Sequence, residues 1–301
     1  MGPSLMTGLP WLVPVLCAIT LAAIGFSAHG ARRWAAQVEA LNRSLDAART
    51  VVKRGMTLRA YCPSTELPGL PAPVQRYFTL VLKEGQALVA TAAIEMVGTF
   101  DMAATTKTPR PFTSRRFTSR QRVETARPGF LWDARISMAP CVVMRVIDSY
   151  IQGSGRLRAS VWGLFTVAKV QGTGEIARGE FMRFAAEAAW YPTALLPSQG
   201  VQWEAVDAHS ANATIDDGPL AVTLLFGFDD TGLISTVRAQ ARGCMVGSRM
   251  VMMPWECRLS NYEVCNGMTV PMRGEAAWIG PHGRKPYFQG TVTSLAHEFR
   301  I

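Results

Sequence analysis

From Leu88 onward, apolar side chains recur at every second position: Leu88, Ala90, Ala92, Ile94 and Met96, then Phe100 and Met102. A period of two puts these residues on one face of a β-strand. The same texture continues through residues 112–126, 130–138, 142–151 and 156–170, and resumes over 201–206, 210–215, 220–228 and 233–241. Asp229-Asp230-Thr231-Gly232 and Asn266-Gly267 read as tight turns, and Gly280-Pro281-His282-Gly283 joins the last two strands, 272–279 and 287–299. Successive strands joined by short turns predict antiparallel pairing. The expectation is an α+β, mainly antiparallel domain: one large curved sheet, half-barrel-like, with covering helices. A sheet of that length must curl, and helices near Val74 and Phe184 are available to cover its concave face.

Ahead of the sheet the period changes. Residues 1–30 contain no Lys, Arg, Asp or Glu, and 9–28 form an apolar run long enough to cross a bilayer as a helix. This predicts a single-pass transmembrane anchor; the missing basic n-region and the SAHGA sequence argue against a cleaved signal peptide. Arg32 and Arg33 follow the run and nothing basic precedes it, so the positive-inside bias predicts an inner-membrane protein with a cytoplasmic main domain. A periplasmic domain is the alternative. Over residues 31–55, Trp34, Val38, Leu41, Leu45, Ala48 and Val52 form a heptad seam ended by Gly55. This juxtamembrane amphipathic helix either docks on its own domain or makes a homo-oligomer or membrane-complex contact through residues 34–52. Residues 56–72, rich in proline, read as a linker, and 73–301 as the β-rich domain.

The composition allows a full core: 301 residues, 49% hydrophobic. A formal charge of +9 would draw the chain toward anionic surfaces, and with an anchor present the membrane is favoured over nucleic acid. Arg110, Arg115, Arg116, Arg120 and Arg122, with Phe112 and Phe117 between them, form either a lipid-headgroup patch or a solvated, edge-guarding sheet face. The six cysteines are scattered and read as free thiols. Neither cysteine nor histidine spacing matches a zinc site, so no metal is assigned. Gly172-Thr173-Gly174-Glu175-Ile176-Ala177 matches the permissive dinucleotide-loop pattern, but its flanks are hairpin-like. With no phosphate loop and no serine-nucleophile elbow either, no cofactor is assigned.

The helix expected over 178–191 carries the candidate chemistry. Phe181, Phe184, Ala185 and Ala188 form its buried stripe; Arg183 and Glu187 stand one turn apart, and Trp190 lies just beyond, before Pro192 ends the helix. A glutamate beside tryptophans in a concave sheet could be desolvated and act as a general acid or base, which makes Glu187 the candidate catalytic residue. Asp148 and His209 are its conceivable partners.

Pro128-Gly129-Phe130-Leu131-Trp132, Asp148-Ser149-Tyr150 with Gly153 and Gly155, the run Arg183–Pro197, Val201-Gln202-Trp203, Pro254-Trp255 and the closing stretch 278–287 together resemble an uncharacterised bacterial, membrane-anchored family. The resemblance covers about Leu70 to Glu298, and Trp190-Tyr191-Pro192-Thr193-Ala194-Leu195-Leu196-Pro197 is its most specific piece. It implies a β-rich domain and transfers no activity. More loosely, the expected fold is similar to the lipoprotein-carrier and lipid-carrier half-barrels.

These readings lead to a membrane-tethered binding protein that holds an apolar or lipid-like ligand in a curved-sheet cavity. Arg183, Glu187 and Trp190 would line its mouth from the helix, with Trp132, Tyr150, Trp203 and Trp255 from the sheet. The alternatives are an enzyme using Glu187 and a structural or scaffold partner of a membrane complex.

Overall fold

The computed structural model describes residues 11–49, 60–101, 114–246 and 249–300. Arg110, Phe112 and the end of the heptad seam at Val52 and Gly55 lie outside them. Among the described residues, thirteen strands form one antiparallel sheet. In chain order they are β1 (Val89–Asp101), β2 (Ser114–Glu124), β3 (Gly129–Ala139), β4 (Val142–Ile151), β5 (Ser154–Val161) and β6 (Phe165–Gly172), then β7 (Gln202–Asp207), β8 (Ser210–Asp217), β9 (Leu220–Phe228), β10 (Ile234–Val246), β11 (Arg249–Cys265), β12 (Met268–Gly280) and β13 (Gly283–Phe299). The order across the sheet is β6-β5-β4-β3-β2-β1-β13-β12-β11-β10-β9-β8-β7, so the two meanders meet where β1 pairs with β13, and β6 and β7 are the free edges. The sheet is curled and unclosed, as its length requires.

β11 was not legible as a strand. It contains Pro254 and an apolar run without alternation, which obscured the period. Proline is tolerated because it sits opposite a bulge: Ala239 pairs with Trp255 and Arg242 with Met253, so Gln240 and Ala241 together face Pro254.

Helix α4 (Glu175–Ala186) leaves β6 and crosses the concave face, packing on β4 and β5 on one side and on β9 and β10 on the other. It ends at Ala186, short of the expected Tyr191, and short 3-10 turns through Gln199, one of them opened by Pro192, carry the chain to β7 at the opposite edge. This crossover is pinned throughout. The Trp190 indole N–H donates to the Pro271 carbonyl (2.6 Å), the Val89 amide to the Thr193 hydroxyl (2.9 Å), and the Trp203 indole N–H to the Leu195 carbonyl (3.0 Å). Those bonds give the Trp190–Pro197 run a structural reason for its composition. Across the curl, the Tyr150 hydroxyl on β4 donates to Asp217 at the end of β8 (2.8 Å), tying one wing to the other.

A single helix, α1 (Leu12–Arg49), runs through both the expected anchor and the juxtamembrane segment. Its first half is apolar on all sides and exposed, including Trp11 just before it and Leu16, Ile19, Leu21 and Phe26 within it, and it is long and apolar enough to cross a membrane. From Gly30 onward it lies on the convex face of β3 and β4. A side chain at Gly30 would place its Cβ 2.2 Å from the Trp162 carbonyl oxygen, so glycine is what permits that approach. Trp34, Leu41 and Leu45 are buried against Leu131, Ile147 and Ile151. The described part of the seam is thus covered by the chain's own sheet, the docked one of the two readings of this helix. Both faces of β4 are therefore buried, and its sequence VVMRVIDSYI reads as a nearly continuous apolar run.

Two shorter helices cover one end of the concave face. Pro63 opens a single turn, α2 (Pro63–Glu66), inside the proline-rich stretch expected to be a linker, and Tyr61 and Glu66 there are buried. Helix α3 (Ala72–Val81), the helix expected near Val74, buries Val74, Tyr77, Phe78 and Val81. Of the arginine patch, Arg120 pairs with Glu95 (2.9 Å), and Arg122 pairs with Asp46 of α1 and with Glu124. Strand β6, which precedes the Gly172–Ala177 loop, is an antiparallel edge strand, so the loop is not a dinucleotide-binding turn.

Candidate functional site

The sheet and α4 enclose a cavity of about 440 Å³, within the ~300–1,000 Å³ that small-molecule sites span. One wall is Ile136, Met144, Val146 and Ala159 from β3, β4 and β5. The facing wall is Trp255, Ala276, Trp278 and Phe288 from β11, β12 and β13. Met245 and Met250, about two-fifths exposed, stand where the cavity meets solvent.

Polar groups enter from α4. Glu180, Arg183 and Glu187 project from one face of the helix end and all reach the cavity. Every Arg183 side-chain nitrogen has an acceptor: its Nε donates to Glu187 Oε1 (2.7 Å), Nη1 to Asp148 Oδ2 (2.6 Å) and Nη2 to Gln121 Oε1 (2.9 Å). Gln121 closes the ring by donating to Glu187 Oε2 at 2.6 Å. The guanidinium lies 4.8 Å from the Phe130 ring centroid and 5.0 Å from that of Trp132. Burial works to lower the Arg183 pKa, but Glu187 and Asp148 reverse the effect and raise it, so this arginine stays charged.

Each Glu187 oxygen thus accepts one hydrogen bond. The perturbed carboxyl is Glu180, two turns earlier. Burial, then the adjacent Asp148 charge, raises its pKa well above the ordinary carboxylate value, opposed by Arg242 and Arg183. Arg242 approaches Glu180 only to 4.0 Å and stacks 4.6 Å from the Trp255 ring centroid. Tyr287 accepts the Trp255 indole N–H (2.9 Å), and burial raises its pKa.

Of the residues expected to line a site, the fold brings together Trp132, Arg183, Glu187, Trp190 and Trp255 at this cavity, with Asp148. Tyr150 stands apart, stacked on Phe181 with centroids 5.0 Å apart. Trp203 packs edge-on against Phe226 (5.1 Å) beyond the crossover, and His209 is exposed in the β7–β8 turn. Glu180, Arg242, Trp278 and Tyr287 were not singled out from sequence. Glu180 could have been, since it lies three residues before Arg183 on the same helical face. Among the described residues, no three His, Cys, Asp or Glu side chains converge as a metal-ligand group.

Two solved structures are similar to this chain at low identity. One is a LolA superfamily protein from Nitrosomonas europaea: 7% identity, TM-score 0.34, covering 76% of this chain and 93% of that one. The other is a β-barrel-like protein of the domain of unknown function DUF1849 from Brucella abortus: 9% identity, TM-score 0.26, covering 70% of this chain and 98% of that one. No curated protein matches the sequence. The family of unknown function DUF6920 matches residues 68–297, which takes in all but the last two residues of the sheet and the α4 crossover, and the chain belongs to that family.

Proposed function

We propose that this is a membrane-tethered binding protein that holds an apolar or lipid-like ligand between its curled sheet and α4. The observation that carries the reading is the cavity: about 440 Å³, walled mainly by aliphatic and aromatic side chains, with a smaller number of charged side chains among them. An apolar ligand gains by leaving water, and a preformed space spares the cost of opening one. The tether is the exposed apolar half of α1, and the Arg32-Arg33 pair beyond it supports a cytoplasmic domain at the inner membrane.

The test uses the full chain in an amphipathic polymer, titrated with the neutral apolar dye N-phenylnaphthylamine, with the polymer alone as blank. Saturable binding near one dye per chain is expected, weakened about ten-fold, or about 1.4 kcal/mol, by Ala159→Phe, which fills the cavity from β5. Non-saturable binding, or binding indifferent to the filled cavity in a folded variant, would sink the reading.

A further inference from the structure

Inward-facing residues of β10 run Val237, Ala239, then Arg242 and Cys244. Strict alternation would bring Ala241 inside and leave Arg242 in solvent. The bulge opposite Pro254 reverses that parity: Gln240 and Ala241 are both exposed and Arg242 is buried. The Pro254-Trp255 pair thus does two things. Its proline faces the bulge without needing a ladder bond, and its tryptophan supplies the surface on which the redirected guanidinium stacks.

Arg242 is left without a matched acceptor. Its side chain is 8% exposed, its nearest carboxylate is 4.0 Å away, its Nη1 is 3.5 Å from the Tyr287 hydroxyl, and its Nε has no partner. The contrast with Arg183, held by two carboxylates, is sharp. Trp132 Nε1, also in the cavity wall, is a second donor without a partner. Buried donors of this kind cost free energy unless something accepts from them. The carboxylate neighbour of Arg242, Glu180, stands 4.0 Å off, at the outer limit of an ion pair, so room remains on the guanidinium for a closer acceptor.

We infer that the ligand is a single-chain amphiphile with a carboxylate head group, the carboxylate paired with Arg242 beside Trp255 and Tyr287, and the chain lying along the apolar walls. This rests on the cavity reading above. One planar guanidinium matches one carboxylate in a two-pronged pair, and its single positive charge balances a carboxylate but not a phosphate dianion. A volume of about 440 Å³ lies toward the small end of ligand sites and suits one chain.

Equilibrium dialysis of radiolabelled dodecanoate, dodecanol and dodecyl phosphate against the full chain in amphipathic polymer separates the possibilities. Dodecanoate should bind about ten-fold tighter than dodecanol, and Arg242→Met should remove that advantage. Equal affinity for dodecanoate and dodecanol in the wild type overturns the head-group assignment, and this comparison stands even if Arg242→Met fails to fold. Dodecanoate binding unaffected in a folded Arg242→Met chain overturns it too, as does tighter binding of dodecyl phosphate; in these cases the apolar cavity survives. Binding of none of the three removes the cavity reading itself.

Discussion

Trp34 of the long N-terminal helix donates its indole N–H to Asp133 of β3 across 2.8 Å, and no part of its side chain remains exposed. This couples the helix to the sheet by packing and by a charged acceptor; burial raises the Asp133 pKa, and the indole bond works against that rise. Trp34→Ala should destabilise the domain by about 3–5 kcal/mol in chemical unfolding of the full chain, through the lost side chain and the partner left behind. Trp34→Phe should lose less, about 1–3 kcal/mol, since it keeps most of the packing and forfeits the bond. A Trp34→Phe variant as stable as the wild type would show that the hydrogen bond adds nothing.

Arg183 holds Asp148 and Glu187 together in a largely buried ring. Arg183→Met leaves two carboxylates without their cation and should cost about 3–5 kcal/mol. Adding Asp148→Asn and Glu187→Gln removes the stranded charges, so the triple variant should be more stable than Arg183→Met alone. A double-mutant cycle measured by denaturant unfolding reads the coupling directly.

Glu180 makes stability depend on pH. Its folded-state pKa lies above the ordinary value of 4.5, so its contribution is fully present below about pH 4.5 and is lost as pH rises through the folded pKa. Asp148 opposes its ionisation, while Arg242 and Arg183 favour it; the buried Tyr287 hydroxyl lies beyond Arg242. Glu180→Gln stays neutral throughout. Its stability relative to wild type should therefore increase with pH from about pH 4.5, at up to about 1.4 kcal/mol per pH unit until the folded pKa is passed. A flat difference across that range would place the proton elsewhere.

Gly155 lets α4 sit against β5. An added Cβ would fall 2.7 Å from the Ile176 carbonyl group and 2.8 Å from Ala177 Cα, which is backbone and cannot swing away. Gly155→Ala should therefore lift the start of α4, cost about 1–3 kcal/mol, and weaken dye binding in the cavity beneath. Unchanged unfolding and unchanged binding together would mean that the helix shifts freely.

Alternation made most of the sheet legible, because one residue in two had to face a core. It failed at β11, where a proline and a methionine-rich run hid the period, and the same irregularity hid Arg242. A bulge changes which face a residue occupies without changing its chemistry, so Arg242 looks like any solvent-facing arginine in the sequence. Arg183 and Glu187 were recoverable because helical spacing keeps them adjacent whatever the tertiary fold. Their partner Gln121 was not, since it arrives from a strand more than sixty residues away. Tyr150 and Trp203 were placed at the ligand by their aromatic character; in the fold, one closes the curl and the other anchors the crossover.

The pairing of β1 with β13 has a consequence for how the molecule is made. Val89 faces Phe299, and the seam continues to Phe100 opposite Phe288, so the middle of the sheet is built from opposite ends of the domain. On the ribosome the apolar helix and the first six strands emerge while β1 has only β2 beside it, presenting a long unpaired edge until the C-terminal strand is translated. Truncating the last strand would therefore split the sheet at its centre, and closing so distant a pair is the kind of long-range step that slows folding.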